Sequence, residues 1–325
     1  MSPALEVLSC GPLITVQDGG RPGWLGQGLA LGGAADLHAL DEAAALLGGA
    51  GAAIELPGVP LRLRCHGVVR LAFTGAQMRA EMDGRELDWH AAHTLPDGAI
   101  LDIRPTGQGV YAYVTPADGL ATEPLMGSRA AHLIAGIGAA LAPGDLLRHG
   151  GSTAAAARRL DPVPDRFSGG ILRLLPTPQT RLFSDVERER FVATAFTRDP
   201  RGNRQGVRLA MDGPGFATER QLNLLSDFVL PGDVQMTGDG VPYILGPECQ
   251  TTGGYPRIGT VIAADLPRAL QAPPGARLRF RFVTLDAARA ATPSPPATRP
   301  LLRRPDAKDL LNQQLIGGVV SAKEE

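Results

Sequence analysis

Residues 273–283 read PPGARLRFRFV. Proline presets φ and glycine supplies a positive φ, so Pro273-Pro274-Gly275 makes a tight turn. Behind it Leu278, Phe280 and Phe282 alternate with Arg277, Arg279 and Arg281. Large apolar groups on one side and guanidinium groups on the other, with a period of two, predict a half-buried β-strand. The turn formula recurs at Leu95-Pro96-Asp97-Gly98, Ala142-Pro143-Gly144-Asp145 and Leu230-Pro231-Gly232-Asp233. Alternation recurs at residues 61–64, 100–103, 109–114 and 171–175. The spacing is irregular, which argues against a solenoid. The pattern predicts a mainly β chain with a few short helices, folded as two β-barrel-like domains.

Helical patterns are few. Asp36 to Gly48 has a capping Asp, good helix formers and a terminal Gly. Ser184 to Ala195 starts with a Ser and a Glu at capping-box spacing. Thr218 to Leu225 and Ala264 to Gln271 are shorter candidates. Gly136 to Leu141 is an incomplete GxGxxG without an acidic partner, and reads as part of a small-residue helix over Ala130 to Ala140. Residues 151–168 lack periodicity and divide the chain into an N-terminal β-rich domain, 1–150, and a β-barrel domain, 169–286. Residues 287–325 form a Pro-rich linker and a tail, whose Leu310, Leu311, Leu315 and Ile316 would line one helix face.

Composition removes several chemistries. The chain has 325 residues, with 32 Lys+Arg against 33 Asp+Glu, so no basic field advertises nucleic acid. Only Lys308 and Lys323 are lysine. The first 307 residues therefore hold no Walker-A phosphate loop, no Schiff-base amine and no biotin attachment site. Cys10, Cys65 and Cys249 lack paired spacing, which fits a reducing compartment. No basic, apolar leader opens the chain and no apolar run reaches 18 residues, so a cytoplasmic protein is expected. His90-Ala91-Ala92-His93 lacks the i, i+4 spacing and the Glu of a zincin, so no metal site is predicted. Trp24 and Trp89 read as core or interface residues.

Three segments carry candidate chemistry. Glu248 to Thr260, ECQTTGGYPRIGT, packs Gln250, Thr251, Thr252, Gly253, Gly254 and Tyr255 together. Consecutive glycines let backbone N–H groups point into a cavity, a nest that suits a carboxylate or an oxyanion. The same residues suit a tight hairpin. In the second segment Asp18 and Arg21 flank a double Gly, and can pair with each other or bind a carboxylate and position a water. In the third, Ser128 and Arg129 follow Gly127 and suit a carboxylate or ureido oxygen, or a helix cap. No G-x-S-x-G elbow surrounds Ser128.

Together these segments resemble the biotin-dependent carboxyltransferase family, also called allophanate hydrolase subunit 2, to which the C subunit of 5-oxoprolinase belongs. Its G-P-x-T-T-V-Q-D-x-G-R-x-G signature is matched by Gly11, Pro12, Thr15, Val16, Gln17, Asp18, Gly20, Arg21 and Gly23. Gly33, Ala34, Asp36, Glu55 and Phe73-Thr74-Gly75-Ala76 follow, as does Gly127-Ser128-Arg129. Asn203-Arg204-Gln205-Gly206-Val207-Arg208-Leu209 stands for D-R-M-G-Y-R-L, and the Q-T-T-G-G-Y-P block is intact from Gln250. The resemblance covers roughly residues 5–286. It implies a cyclophilin-like barrel architecture and a site shared with a second protein, an allophanate hydrolase subunit 1 homologue (the B subunit of 5-oxoprolinase). It implies three alternative functions. One is an ATP-dependent 5-oxoprolinase, with ATP handled by a third, lactam-utilisation subunit. Another is carboxyl transfer from carboxybiotin, held on another chain, to urea or a similar amide. The third is non-catalytic binding of a kinase inhibitor. For this chain it points to Asp18, Thr252, Gly253 and Gly254 for chemistry. Arg21, Ser128, Arg129, Arg204, Gln250, Thr251 and Tyr255 would hold the substrate.

Overall fold

The computed structural model describes residues 3–49, 51–150, 156–218 and 224–301. These residues are mostly β and include four short α-helices: α1 Leu37–Leu47, α2 Asp185–Ala193, α3 Leu266–Gln271 and α4 Leu285–Ala290. All four Pro-Gly turns stand directly before strands. Gly98, Gly144, Gly232 and Gly275 have φ of 80°, 95°, 95° and 87°, values that favour glycine.

The first half is a nine-stranded half-barrel. Its spine is one long strand, Ile100–Pro116, which absorbs both the 100–103 and the 109–114 alternations. This strand pairs antiparallel with Val69–Met82, Leu61–His66 and Ala53–Leu56. The core side is fully buried: Leu63, Leu71, Phe73, Leu101 and Ile103 leave no exposed surface. Trp89 stacks on Phe73 with centroids 5.0 Å apart, whereas Trp24 is half-buried.

The second half is a closed seven-stranded barrel. Its order is Gly170–Leu175, Arg257–Val261, Asp233–Met236, Pro242–Leu245, Gly206–Ala210, Phe196–Asn203 and Arg277–Phe282. The strand from the 273–283 segment closes the ring, pairing with Gly170–Leu175 in parallel and with Phe196–Asn203 antiparallel. Phe191 of α2 packs among Phe196, Phe216 and Phe280, with centroids 4.8–5.3 Å apart. That cluster plugs the barrel, and each ring buries on the order of 150–250 Å².

The two cores meet. Ala34, Ala39, Tyr111 and Tyr113 of the first half pack into the same cluster as the barrel's Leu172, Val234 and Ile258. Gln271 of α3 spans the junction. Its Oε1 accepts from the backbone N–H groups of Val110 and Tyr111, each at 2.9 Å, and its Nε2 donates to Asp36 and the Tyr111 carbonyl. Residues 156–168, the described part of the segment read from sequence as a linker, contribute to the same junction. Arg166 forms buried ion pairs with Asp36 at 2.7 Å and Glu42 at 2.5 Å. Residues 158–160 form a strand paired with Thr298–Pro300, inside the second Pro-rich segment.

Helix caps follow the sequence closely. The Asp36 side chain accepts from the Ala39 N–H, Gly48 ends α1 at φ 89°, and Ser184 accepts from the Glu187 N–H. The helix expected over 130–140 does not form. A single 3-10 turn, Leu133–Ala135, stands there. Gly136 and Gly138 both adopt φ of 69°, which ends any helix. A Cβ at Gly138 would sit 3.1 Å from Ala131, so this segment folds back on itself. The candidates at Thr218–Leu225, for the most part, and at residues 306–320 lie outside the described residues.

His90 carries a testable pH dependence. It adopts φ 55°, is buried against the Phe167 ring at 5.9 Å, and leaves Nδ1 without a partner among the described residues. Burial, with Arg166 nearby, pushes its pKa from 6.5 down to about 4. As pH falls below 6.5 the unfolded chain takes the proton first, so stability is lost between pH 6.5 and 4. The loss is at most about 3 kcal/mol. His90→Asn keeps a residue that tolerates positive φ and removes the titration. Its unfolding free energy should be flatter than the parent's over that window, as measured by urea titration at each pH.

Candidate functional site

The signature residues, scattered over 230 positions, converge on the seam between the halves. Arg204 is at the centre. Its guanidinium reaches Glu55 of the half-barrel, Glu248 at 2.6 Å and the Gly33 carbonyl at 2.5 Å. Burial alone would lower its pKa, but the charges of Glu55 and Glu248 overcome this and hold it above the ordinary guanidinium value. Glu55 also accepts from the Tyr113 hydroxyl at 2.6 Å and the Ala35 N–H at 2.8 Å. The Tyr113 hydroxyl in turn accepts from the Asp36 N–H. Gly33 is needed here for a physical reason. It adopts φ 78°, and a Cβ would lie 2.6 Å from the Gly20 nitrogen.

Asp18 forms a latch beside this network. Its Oδ1 accepts from Gly20 N–H at 2.8 Å and Ser128 hydroxyl at 2.6 Å, and its Oδ2 from Arg129 N–H at 2.7 Å. With three donors on two oxygens, Asp18 fastens the Gly19-Gly20 turn to the Gly127-Ser128-Arg129 turn. The structure thus shows Asp18 joining two turns, with both carboxylate oxygens already accepting hydrogen bonds. Arg129 spends one arm on the Thr122 carbonyl. Arg21 is 1% exposed and donates to the Ala130 carbonyl, yet its Nε and Nη1 have no partner among the described residues. Burial lowers its pKa, offset in part by Asp18 and Glu248. His132 completes the corner. Its Nδ1 accepts from Ala135, its Nε2 is buried without a partner among the described residues, and burial depresses its pKa.

The Gln250–Tyr255 block lies at the barrel mouth. Thr252–Gly253 pairs with Asp227–Phe228 as a short ribbon, and Arg257 pins it through Asp227, Asp233 and the Phe228 carbonyl. Neither Gly253 nor Gly254 has a positive φ, so the expected nest of alternating backbone handedness is absent. Gly253 instead leaves room for a side chain: a Cβ would stand 2.8 Å from Gln235 Nε2 and push that amide aside. Thr251 supplies its carbonyl to the Val229 N–H.

Two cavities flank the Arg204-Gln205 turn between strands Phe196–Asn203 and Gly206–Ala210. One, of about 560 Å³, lies between the halves, with Arg204 and Glu248 among its lining groups. The other, of about 540 Å³, fills the barrel mouth and reaches Gln250 and Tyr255. Both touch Asn203 and Gln205. Arg21 faces a third, smaller space of about 210 Å³ with Trp24 and Cys249. The predicted residues thus form three neighbouring groups: the Asp18 latch, the Arg204 seam and the barrel-mouth ribbon.

The model of the carboxyltransferase domain, subdomain A and B, matches residues 27–282. The chain belongs to the carboxyltransferase domain family. It is 32% identical to the 5-oxoprolinase C subunit of Escherichia coli over 87% of this chain and 93% of that protein. It is 28% identical to the Haemophilus influenzae protein of the same name, over the same shares. Among solved structures it resembles TTHA0988, with a TM-score of 0.77 and 30% identity over 86% of this chain. It spans 55% of that longer chain.

Several residues that this carboxyltransferase fold places at the seam leave little trace in the sequence. Glu55 is visible there only as a motif position, and His132 only as a polar break in an apolar run. Gln235 and Gln271 give no signal: each is one glutamine in an ordinary strand or helix pattern. Among the described residues, no group of three His, Cys, Asp or Glu side chains is arranged to hold a metal. No helix among them is long and apolar enough to cross a membrane.

Proposed function

We propose that this chain is the C subunit of an ATP-dependent 5-oxoprolinase, opening 5-oxo-L-proline to L-glutamate together with partner subunits. The observation that carries the reading is the near full-length likeness to two proteins named as that subunit. The missing lysines fit it. With none before Lys308, phosphate chemistry falls to a partner that handles ATP. A homologue of the B subunit would complete the site over the exposed cavity between the halves.

In this reading the activated lactam sits at the barrel mouth, beside Thr252, Gly253 and Gly254. A partner transfers the terminal phosphoryl group of ATP to the lactam oxygen, releasing ADP. Water adds to the lactam carbon, the C–N bond opens as the ring nitrogen takes a proton, and a second water hydrolyses the resulting acyl phosphate to glutamate and phosphate. Each hydrogen-bond donor aimed at the developing oxyanion would contribute about 3–4 kcal/mol in a dry site. Asp18 acts through Ser128 and Arg129, holding the wall on which Arg21 is mounted. Arg21 keeps two donor nitrogens, without partners among the described residues, for a carboxylate or an ordered water.

A second reading, carboxyl transfer from carboxybiotin to a urea-like amide, is favoured by the family's own description. There the same donors would stabilise a ureido oxygen. The two separate in one assay of the chain co-purified with its B-subunit partner and the ATP-handling protein. ADP release stimulated by 5-oxoproline and not by urea is expected. Carboxylation of urea from carboxybiotin, without 5-oxoproline turnover, would replace the proposal. Tight partner binding with neither activity would make the chain a binding module.

A further inference from the structure

The barrel-mouth cavity contains a hydrogen-bonding pattern that the motif alone does not reveal. Gln235 is 3% exposed, and its Nε2 has no partner among the described residues. Its Oε1 accepts from Gln250 Nε2 at 2.9 Å. Both residues line the cavity, with Asn203, Tyr243 and Tyr255 around them. Each carboxamide has one donor end and one acceptor end. Bonding to each other uses one end of each. What remains is a donor on Gln235 and an acceptor on Gln250, separated by the one hydrogen bond that joins the two amides. Turning both amides over exchanges the roles and leaves the same pattern, so it does not depend on which atom is nitrogen.

A donor and an acceptor so joined complement a group whose own acceptor and donor lie on the same side. A trans peptide points its N–H and C=O in opposite directions. A small lactam ring forces the amide cis, which puts both on one edge. Gly253 keeps the place open, because a side chain there would displace the Gln235 amide. We propose that Gln235 and Gln250 read the lactam edge of the substrate: the Gln235 N–H donates to the lactam carbonyl, and the Gln250 carbonyl accepts the lactam N–H. They are specificity-determining residues, and the inference rests on the 5-oxoprolinase reading above. It also assigns a purpose to two members of the most distinctive motif, Gln250 and Gly253.

The test uses the reconstituted complex with 5-oxoproline and ATP, and the variants Gln250→Ala and Gln250→Glu. Gln250 is exposed, so neither change threatens the fold. Glutamate keeps the shape of glutamine but cannot donate to Gln235, which must turn its N–H to the carboxylate. Two acceptors then face the lactam. The expected result is a KM for 5-oxoproline raised roughly 10- to 100-fold in both variants, with a smaller change in kcat. Affinity for the partner subunit should be unchanged. A KM within twofold of the parent in Gln250→Glu would overturn the inference while leaving the enzyme assignment intact. Absence of 5-oxoproline turnover in the parent complex would overturn both. Competitive inhibition by free biotin that is lost in Gln250→Glu, with KM for 5-oxoproline unmoved, would reassign the edge to a cyclic urea.

Discussion

Arg204→Ala is expected to lower the unfolding free energy by about 3–5 kcal/mol, because it strands two buried carboxylates. Glu55 and Glu248 are 2% and 3% exposed and lie 149 and 44 residues away in sequence. Neither has another cation within ion-pair distance among the described residues. For a chain of this size the melting temperature should fall by roughly 4–7 °C. Arg204→Lys should recover little. A single ammonium cannot present the planar fork that reaches Glu55, Glu248 and the Gly33 carbonyl together. Combining Arg204→Met with Glu55→Gln and Glu248→Gln should restore much of the loss, since the penalty comes from unpaired charge and not from lost contact area. Denaturant unfolding of the four proteins decides it. A cost under 1 kcal/mol for Arg204→Ala would mean the seam is wet and the network is ornamental.

The second large effect concerns turnover. Asp18→Ala removes the acceptor that ties Gly20, Ser128 and Arg129 together. Arg21, three residues on, is then free to shift. A displacement of about 1 Å in a site wall can cost roughly 100-fold in rate, and that is the expected loss in kcat. Partner affinity should survive, because the half-barrel core does not depend on this latch. Asp18→Asn keeps one acceptor oxygen and places an NH₂ against at least one of the donors, so it should fall between parent and Ala. An Asn variant as inactive as Ala, with its latch intact by crystallography, would show instead that the carboxylate itself does chemistry. Unchanged kcat in Asp18→Ala would mean that the latch has no part in turnover.

Much of the fold was legible because β-structure writes itself locally. The alternation of residues 277–282 and the glycines after each proline name a strand and its turn without reference to the rest of the chain. The caps at Asp36 and Ser184 are equally local. The seam was not legible in the same way. The Arg204 pairing with Glu55 depends on a hairpin turn and a distant strand being brought together, and no periodicity encodes it. Arg166 stood in a stretch that looked like a linker because a single buried cation leaves no pattern. The apparent helix over 130–140 failed for a different reason. Alanine and leucine favour a helix, but two glycines in left-handed conformations turn the backbone twice within three residues. At Gly253-Gly254 the motif marks a ribbon beside a cavity, but its backbone geometry was not legible. Gly253 is there for clearance beside Gln235, not for a nest of N–H groups.

The most direct test of the 5-oxoprolinase assignment is an omission experiment on glutamate release. The partner subunits, 5-oxoproline and ATP are incubated with and without this chain, and glutamate is measured against ADP. Stoichiometric glutamate and ADP are predicted only when this chain is present. Equal glutamate release without it would contradict its place in the enzyme.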